Sequence, residues 1–292
     1  MALVLSQVRL YGTVVLAAVA LLVLLPFHFA ALYLSEGSPM RVARLWQRFV
    51  CFLIGIRVIV TGQPAQGRPL LLLANHTSWL DIPILAGVAP VSFVAKKEVA
   101  TWPVVGFLAK TQRSVFVDRD RRGATGAHAD EIAGRLSKGD ILVLFAEGTS
   151  SDGNRVLPFR SALVGAAQRA IADGGTATIQ PVAIAYRRML GLPLGRQHKP
   201  RVAWYGGTDL LPHLKRVLSE GAIDVEIVFG PARTLTARDD RKRATQEAGE
   251  TVRKLVAALN GGRSPDEILN AAAKVSGFIP QFGEGCGERR VA

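Results

Sequence analysis

Leu10 to Leu34 contains no Asp, Glu, Lys or Arg. A stretch of this kind exceeds the roughly 20 apolar residues that a helix needs to cross the hydrocarbon of a bilayer. In lipid the backbone must satisfy its own polar groups, so the segment has little choice but to be helical. Pro26 and His28 interrupt the run and leave open whether it spans the bilayer or re-enters. A cleaved signal peptide is disfavoured, because the apolar region is too long and only Arg9 precedes it. Arg41, Arg44 and Arg48 follow, which places the C-terminal side in the cytoplasm by the positive-inside rule. Phe49 to Val60 is too short to span and contains Arg57; it reads as the end of an interfacial helix running into a first strand.

Beyond the anchor the hydropathy pattern alternates. Apolar runs of strand length fall at 57–61, 70–74, 91–95, 114–117, 141–145, 178–185, 201–205 and 225–229. Several are continuously apolar, as expected of strands covered on both faces. Helical patterns lie between them at 79–87, 102–110, 125–137 and 161–173, with a longer one at about 237–260 and a short one at 264–273. Alternation of this kind predicts an α/β fold: a single mixed-sheet domain flanked by helices, behind an N-terminal membrane-anchoring helix. The expected division is an anchor with its interfacial helix at 1–48, a catalytic domain at 49–262 and a C-terminal tail at 263–292 with a loose end.

The run Leu70-Leu71-Leu72-Leu73-Ala74 ends in Asn75-His76, and Asp81 follows five residues after the histidine. A buried strand thereby delivers an imidazole to its end with a carboxylate nearby, which suits general-base activation of a hydroxyl. Residues five apart on a continuous helix are rotated by about 140° and cannot face each other. His76 and Asp81 therefore meet only if His76 lies in the turn before a helix that starts near Trp79, with Thr77 and Ser78 as caps. The alternative is structural: Ser78-x-x-Asp81 is also a capping-box pattern.

Three more segments stand in a fixed order behind this one. They are Ser114-Val115-Phe116-Val117-Asp118-Arg119, Leu144-Phe145-Ala146-Glu147-Gly148-Thr149-Ser150-Ser151-Asp152-Gly153 and Ile179-Gln180-Pro181-Val182-Ala183-Ile184-Ala185-Tyr186. With the His-x4-Asp pattern, they resemble the glycerolipid acyltransferase family, whose best-known members are the 1-acylglycerol-3-phosphate acyltransferases. The resemblance covers about residues 40–230. It implies His76 as the base and Asp81 as its orienter, with Arg119, Glu147, Gly148, Thr149 and Ser150 around the acceptor. The bland alternatives are an ordinary glycine turn after a strand at Glu147-Gly148, and a solvated charged turn around Arg119. No G-x-S-x-G elbow is present, so a covalent acyl-enzyme is not required.

Departures from the family pattern bear on the acceptor. Where members that acylate lysophosphatidic acid usually read Phe-Pro-Glu-Gly-Thr-Arg, this chain has Ala146 for the proline and Ser150 for the arginine. Loss of a guanidinium there suits a less anionic head group. The small residue usual at the start of the second block is Arg113. The run 201–213 resembles the branch that acylates lyso-ornithine lipid. That acceptor is expected, with lysophosphatidic acid as the alternative.

An acyl thioester, on acyl carrier protein or coenzyme A, is the implied donor. The formal net charge of +13, from 36 Lys+Arg against 23 Asp+Glu, favours an acidic carrier and an anionic membrane. Lys96, Lys97, Arg121, Arg122, Arg187, Arg188, Lys199 and Arg201 are the candidates for that surface. The expected location is the cytoplasmic face of a bacterial inner membrane. The same charge fits a nucleic-acid binder, but no binding motif accompanies it, so no nucleic acid is expected as partner. A hydrolase using His76 on water and a non-catalytic lipid binder are the other rivals. No cofactor or metal is implied, because the five histidines are not grouped with cysteines or carboxylates at ligand spacing; Cys51 and Cys286 form no disulfide framework.

Overall fold

The computed structural model describes residues 2–34, 38–118, 125–171, 175–267, 269 and 289–291. Two helices lead the chain, α1 (Ala2–Leu34) and α2 (Ser38–Ile54). They pack antiparallel: Arg9 Nη2 donates to Ile54 O at 2.7 Å, and eight residues further along α1 the Trp46 indole donates to Ala17 O at 3.4 Å. Ser6–Ala31 is long and apolar enough to cross a membrane, and most of it is uncovered by protein. Leu10 nevertheless reaches the domain core. The second apolar stretch divides as expected, into the last turns of α2 and strand β1 (Ile56–Thr61). Gly55 turns the chain between them at φ 79°, a conformation that suits glycine.

The remaining elements alternate. They are β2 (Leu70–Ala74), α3 (Asp81–Val88), β3 (Val91–Lys96), α4 (Pro103–Thr111), β4 (Val115–Val117), α5 (Thr125–Ser137), β5 (Ile141–Phe145), α6 (Gly165–Arg169), β6 (Ala177–Met189), β7 (Leu192–Pro193), α7 (Leu210–Glu220), β8 (Ile223–Phe229), β9 (Arg233–Leu235), α8 (Arg241–Asn260) and β10 (Arg289–Val291). The sheet runs β10-β1-β8-β6-β2-β5-β3-β4. Strands from β6 through β4 are parallel, β8 is antiparallel to β6, and β10 is antiparallel to β1. This is the mixed sheet that the alternating pattern predicts.

Strand β2 shows why its sequence is apolar throughout. Leu70, Leu72 and Ala74 enter the core under α2, α3 and α7, while Leu71 and Leu73 enter the opposite core with Ile132 and Leu136 of α5 and Ala167 of α6. With side chains alternating across a strand covered on both faces, no position is left for a polar residue. The parallel strands β2 and β5 are in register from Leu70–Ile141 to Ala74–Phe145, so both release the chain at the same sheet edge. Functional loops on open α/β sheets gather at such an edge.

Several expectations need correction. Residues 201–205 are not a strand. Lys199–Arg201 form a 3₁₀ turn, with the Val202 and Ala203 amides bonding back to Lys199 O. The apolar Val202 and Ala203 are buried because this turn is pinned over the core by Lys199, whose Nζ bonds Tyr186 O at 3.1 Å and Asn260 Oδ1 at 2.7 Å. The helix expected at 161–173 is α only over Gly165–Arg169; tighter i→i+3 bonds from Val164, Ala166 and Ala167 precede and begin it, and 172–174 lie outside the described residues. Helix α3 starts at Asp81 rather than Trp79, so Thr77 and Ser78 are not its caps. Helix α7 and strands β7, β9 and β10 are additions. Strand β10 ties 289–291 of the tail to β1, so that part of the tail is not loose. Of the helix expected at 264–273, 264–267 and 269 are described; 265–267 and 269 are helical and 264 is not.

Candidate active site

His76 lies in the turn between β2 and α3, at the edge where the parallel strands end. Asn75 holds the strand's last turn: its side chain donates to Ile184 O at 3.0 Å and accepts from Ile184 N at 2.8 Å, copying a strand pairing. The imidazole stacks on Phe145 at 4.1 Å between ring centres, nearly parallel at 18°. Its Nδ1 is 2.8 Å from Asp81 Oδ2. The same oxygen accepts the Thr77 amide at 2.7 Å and the Ser78 amide at 3.0 Å. The backbone thus curls as the five-residue spacing demands. Asp81 also bonds the Ser78 amide, but Ser78 Oγ has no partner and α3 begins after Leu80, so the capping box is not formed.

That geometry fixes the tautomer. Oδ2 receives two amide N–H groups, which can only donate, so the carboxylate acts there as acceptor and the proton on the ring resides on Nδ1. Nε2 is then a lone-pair acceptor. The other carboxylate oxygen is held by Tyr186, whose hydroxyl donates to Oδ1 at 2.6 Å. Asp81 is fully enclosed, while the His76 side chain keeps 17% of its surface open. Burial, with Asp81 beside it, pushes the Tyr186 hydroxyl well above its usual range, so it stays a donor. The sequence shows Tyr186 within the fourth block without giving it a role, since its partner is 105 residues away.

Glu147 is buried, and its carboxylate is a brace. Oε1 accepts the His76 amide at 2.7 Å and Oε2 accepts the Leu157 amide at 2.8 Å. Burial raises its pKa to about 7, against the opposing pull of those two amides and with a smaller upward push from Asp81. The loop after it closes on the same turn, with Ser151 N donating to His76 O at 2.9 Å. Gly148 sits at φ 77°, with the Arg160 side chain lying over it. Thr149 is exposed and Ser150 half-buried on this loop. Arg119 lies outside the described residues, as do Arg121 and Arg122. Arg113 adopts φ 54°, a left-handed conformation uncommon for a residue with a Cβ.

One of the described residues expected on a basic surface does not reach it. Lys199 is buried, and burial followed by Arg187 lowers its pKa to about 8. Arg187 pairs with Glu226 at 2.9 Å and Arg201 with Glu220 at 3.1 Å. Lys97 lies 3.6 Å from Asp118. Among the described residues no group of His, Cys, Asp and Glu is placed to hold a metal. Cys51 is buried, and that burial pushes its thiol up to about 12.

An imidazole with a free lone pair, a buried carboxylate behind it and a loop braced around it make a base for an alcohol or water. The sequence model of the acyltransferase family matches residues 57–185, which contain His76, Asp81 and Glu147 and end one residue before Tyr186. A lyso-ornithine lipid O-acyltransferase of Brucella abortus is 51% identical over 257 residues, 87% of this chain and 96% of that protein. The chain belongs to the acyltransferase family. A lyso-ornithine lipid O-acyltransferase of Rhizobium meliloti is 41% identical, covering 93% of this acyltransferase and 94% of the relative. A 1-acyl-sn-glycerol-3-phosphate acyltransferase of Neisseria gonorrhoeae is 32% identical over 70% of the chain and 75% of the relative. The crystal structure of the 1-acyl-sn-glycerophosphate acyltransferase of Thermotoga maritima shares the fold, with a TM-score of 0.65, 18% identity, and coverage of 90% of this chain and all of that one. The apolar α1 of this acyltransferase fits membrane association.

Proposed function

We propose that this acyltransferase moves a fatty acyl chain from an acyl thioester to the free hydroxyl of lyso-ornithine lipid, forming ornithine lipid. The observation that carries the chemistry is the His76–Asp81 pair, 2.8 Å apart beside two amides that fix the ring's tautomer. His76 Nε2 takes the proton of the acceptor hydroxyl as its oxygen attacks the thioester carbonyl. Asp81 stabilises the imidazolium that forms. The tetrahedral intermediate collapses, the carbon–sulfur bond breaks, and the leaving thiolate recovers the proton from His76. The new bond is an ester and the co-product a thiol, so the proton balance closes without any further group. Glu147 keeps His76 in the turn through its backbone amide, and Thr149, Ser150 and Arg119 border the acceptor.

The acceptor choice is supported by the naming of the 51% and 41% identical relatives and by Ser150, where an arginine would favour a phosphate. The donor is a thioester of acyl carrier protein, whose acidic surface complements the chain's excess of cations, or of coenzyme A. The catalytic domain, 49–262, faces the cytoplasm and is held on an anionic bilayer by 1–48. Detergent-solubilised enzyme supplied with an acyl thioester and either lyso-ornithine lipid or lysophosphatidic acid tests the reading. Ornithine lipid is the expected product; exclusive use of lysophosphatidic acid defeats the acceptor assignment, and thioester hydrolysis without ester defeats the transferase reading.

A further inference from the structure

Three segments hold the back of the turn that carries His76 and Asp81. The loop after β5 takes the His76 carbonyl, which accepts Ser151 N at 2.9 Å and Ser151 Oγ at 3.2 Å. The 3₁₀ turn after β7 takes the next carbonyl, with Trp204 N donating to Thr77 O at 2.9 Å. The end of β6 brings the Tyr186 hydroxyl to Asp81 Oδ1. These segments lie far apart in the chain, and one residue reaches all of them. Lys199 Nζ donates to Tyr186 O at 3.1 Å and to Asn260 Oδ1 at 2.7 Å. Asn260, at the end of α8, passes the link to the loop, its Nδ2 donating to Gly153 O at 3.4 Å. The lysine stem also lines that loop: a Cβ on Gly153 would stand 3.6 Å from Lys199 Cδ and 2.9 Å from Thr77 Cγ2. The Lys199 carbonyl closes the turn that presents Trp204, accepting the Val202 and Ala203 amides at 3.0 and 2.9 Å.

Both of these acceptors are neutral, a main-chain carbonyl and a side-chain amide. The charged groups facing the ammonium are Arg187 on β6 and Asp152 on the loop, which act in opposite directions, and burial opposes the charge more than either. A charge buried between neutral partners costs stability that an apolar side chain of similar length does not. Packing alone therefore does not account for a lysine at this position. We propose that Lys199 is a positioning residue for acyl transfer: by tying β6, α8 and the 151–153 loop to one ammonium, it holds the His76 ring and Asp81 in the alignment that proton transfer needs. The role rests on His76 being the base of the proposed function, and Lys199 fills it through Tyr186, Asn260 and Trp204 rather than at the reacting atoms. Without the ammonium each segment still bonds the turn, but the segments are no longer fixed to one another. A displacement of about 1 Å at a catalytic group costs on the order of a hundredfold in rate.

The test uses the full chain in detergent with an acyl thioester and lyso-ornithine lipid (or lysophosphatidic acid, should the enzyme accept only that), at a temperature where each variant is folded. Lys199→Met keeps the stem and removes the ammonium. Its kcat is expected to fall about a hundredfold, with the KM for donor and acceptor unchanged. The same substitution in an Asp81→Asn background separates positioning from a structural role. A residue that aligns the ring with the carboxylate loses most of its effect once the carboxylate charge is gone, so the further fall there is expected to be about tenfold or less. A residue that only keeps the chain folded acts alike in both backgrounds. Falls that agree within about threefold between the two backgrounds overturn the proposal, as does a change confined to KM. Should Lys199→Met not fold, Asn260→Ala takes its place: it removes one acceptor and leaves the lysine, and its kcat loss is expected to be about tenfold alone and within about threefold beside Asp81→Asn, equal losses again overturning the proposal. An Asp81→Asn enzyme as active as the wild type defeats the base assignment of the proposed function instead, which keeps the two failures separate.

Discussion

Asn in place of Asp81 separates the carboxylate's charge from its shape. An amide oxygen in the position of Oδ2 still accepts the Thr77 and Ser78 amides and the His76 Nδ1 proton, all within 3.0 Å in the native turn. Its NH2 faces the Tyr186 hydroxyl, which can rotate from donor to acceptor. The turn and the tautomer therefore survive, and what is lost is the attraction between carboxylate and imidazolium. With charge centres about 4 Å apart, that attraction is about 4 kcal/mol at the effective dielectric suited to protein sites. It exists only once His76 has taken the proton, so it acts on the transition state and not on bound substrate. At 1.36 kcal/mol per decade, kcat for Asp81→Asn is expected to fall about a thousandfold, with the acceptor KM nearly unchanged. Labelled acyl thioester and lyso-ornithine lipid, with the ester separated by thin-layer chromatography, give both constants. A loss below tenfold, or a loss confined to KM, would refute the assignment of Asp81 as partner of a base that becomes charged.

Tyr186→Phe removes one hydrogen bond from a buried carboxylate 2.6 Å away; thermal melting is expected to show a loss of about 2 kcal/mol, with kcat falling far less than in Asp81→Asn. Glu147 gives a pH signature. Its carboxyl titrates near 7 in the folded chain and near 4.5 when unfolded, so the folded state holds the extra proton between those values and its stability falls as pH rises across that window, by about 3 kcal/mol. Glu147→Gln carries no titrating group, so the wild type should lose more of its melting temperature than the variant between about pH 5 and pH 7.5; parallel melting curves would refute this. Gly148→Ala places a Cβ against Arg160 at a φ of 77° and is expected to lower the melting temperature, an effect read in the same melting experiment.

The parts of the fold that local patterning dictates were legible. Strands β2 and β5 are buried on both faces, so an unbroken apolar run was the only sequence able to form them. What was not legible depended on partners far along the chain. Val202 and Ala203 are as apolar as a strand, but a buried lysine reaching Asn260, 61 residues on, holds them in a turn. Strand β10 takes its place from pairing with β1, more than 200 residues away, and its own charged sequence carries no strand signal. Helix α7 did carry one, in Asp209 ahead of it, Pro212 in its first turn and Gly221 at φ 55° closing it. At the site, the spacing of His76 and Asp81 demanded a turn that the structure contains. Tyr186 and Asn75 escaped, because each acts through a contact between strands or loops that no short motif encodes. Glu147 was visible as a residue, but its task is to hold a backbone amide, which spacing does not reveal.

Single-turnover acyl transfer by His76→Ala tests the central claim most directly, because the Glu147 brace and the Ser151 contact hold on to backbone that this change leaves in place. The account predicts ester formation reduced by at least about a thousandfold, as loss of an essential base implies, with melting temperature and membrane recovery like those of the wild type. Ester formation within about tenfold of the wild type, by folded and membrane-bound variant, would contradict it.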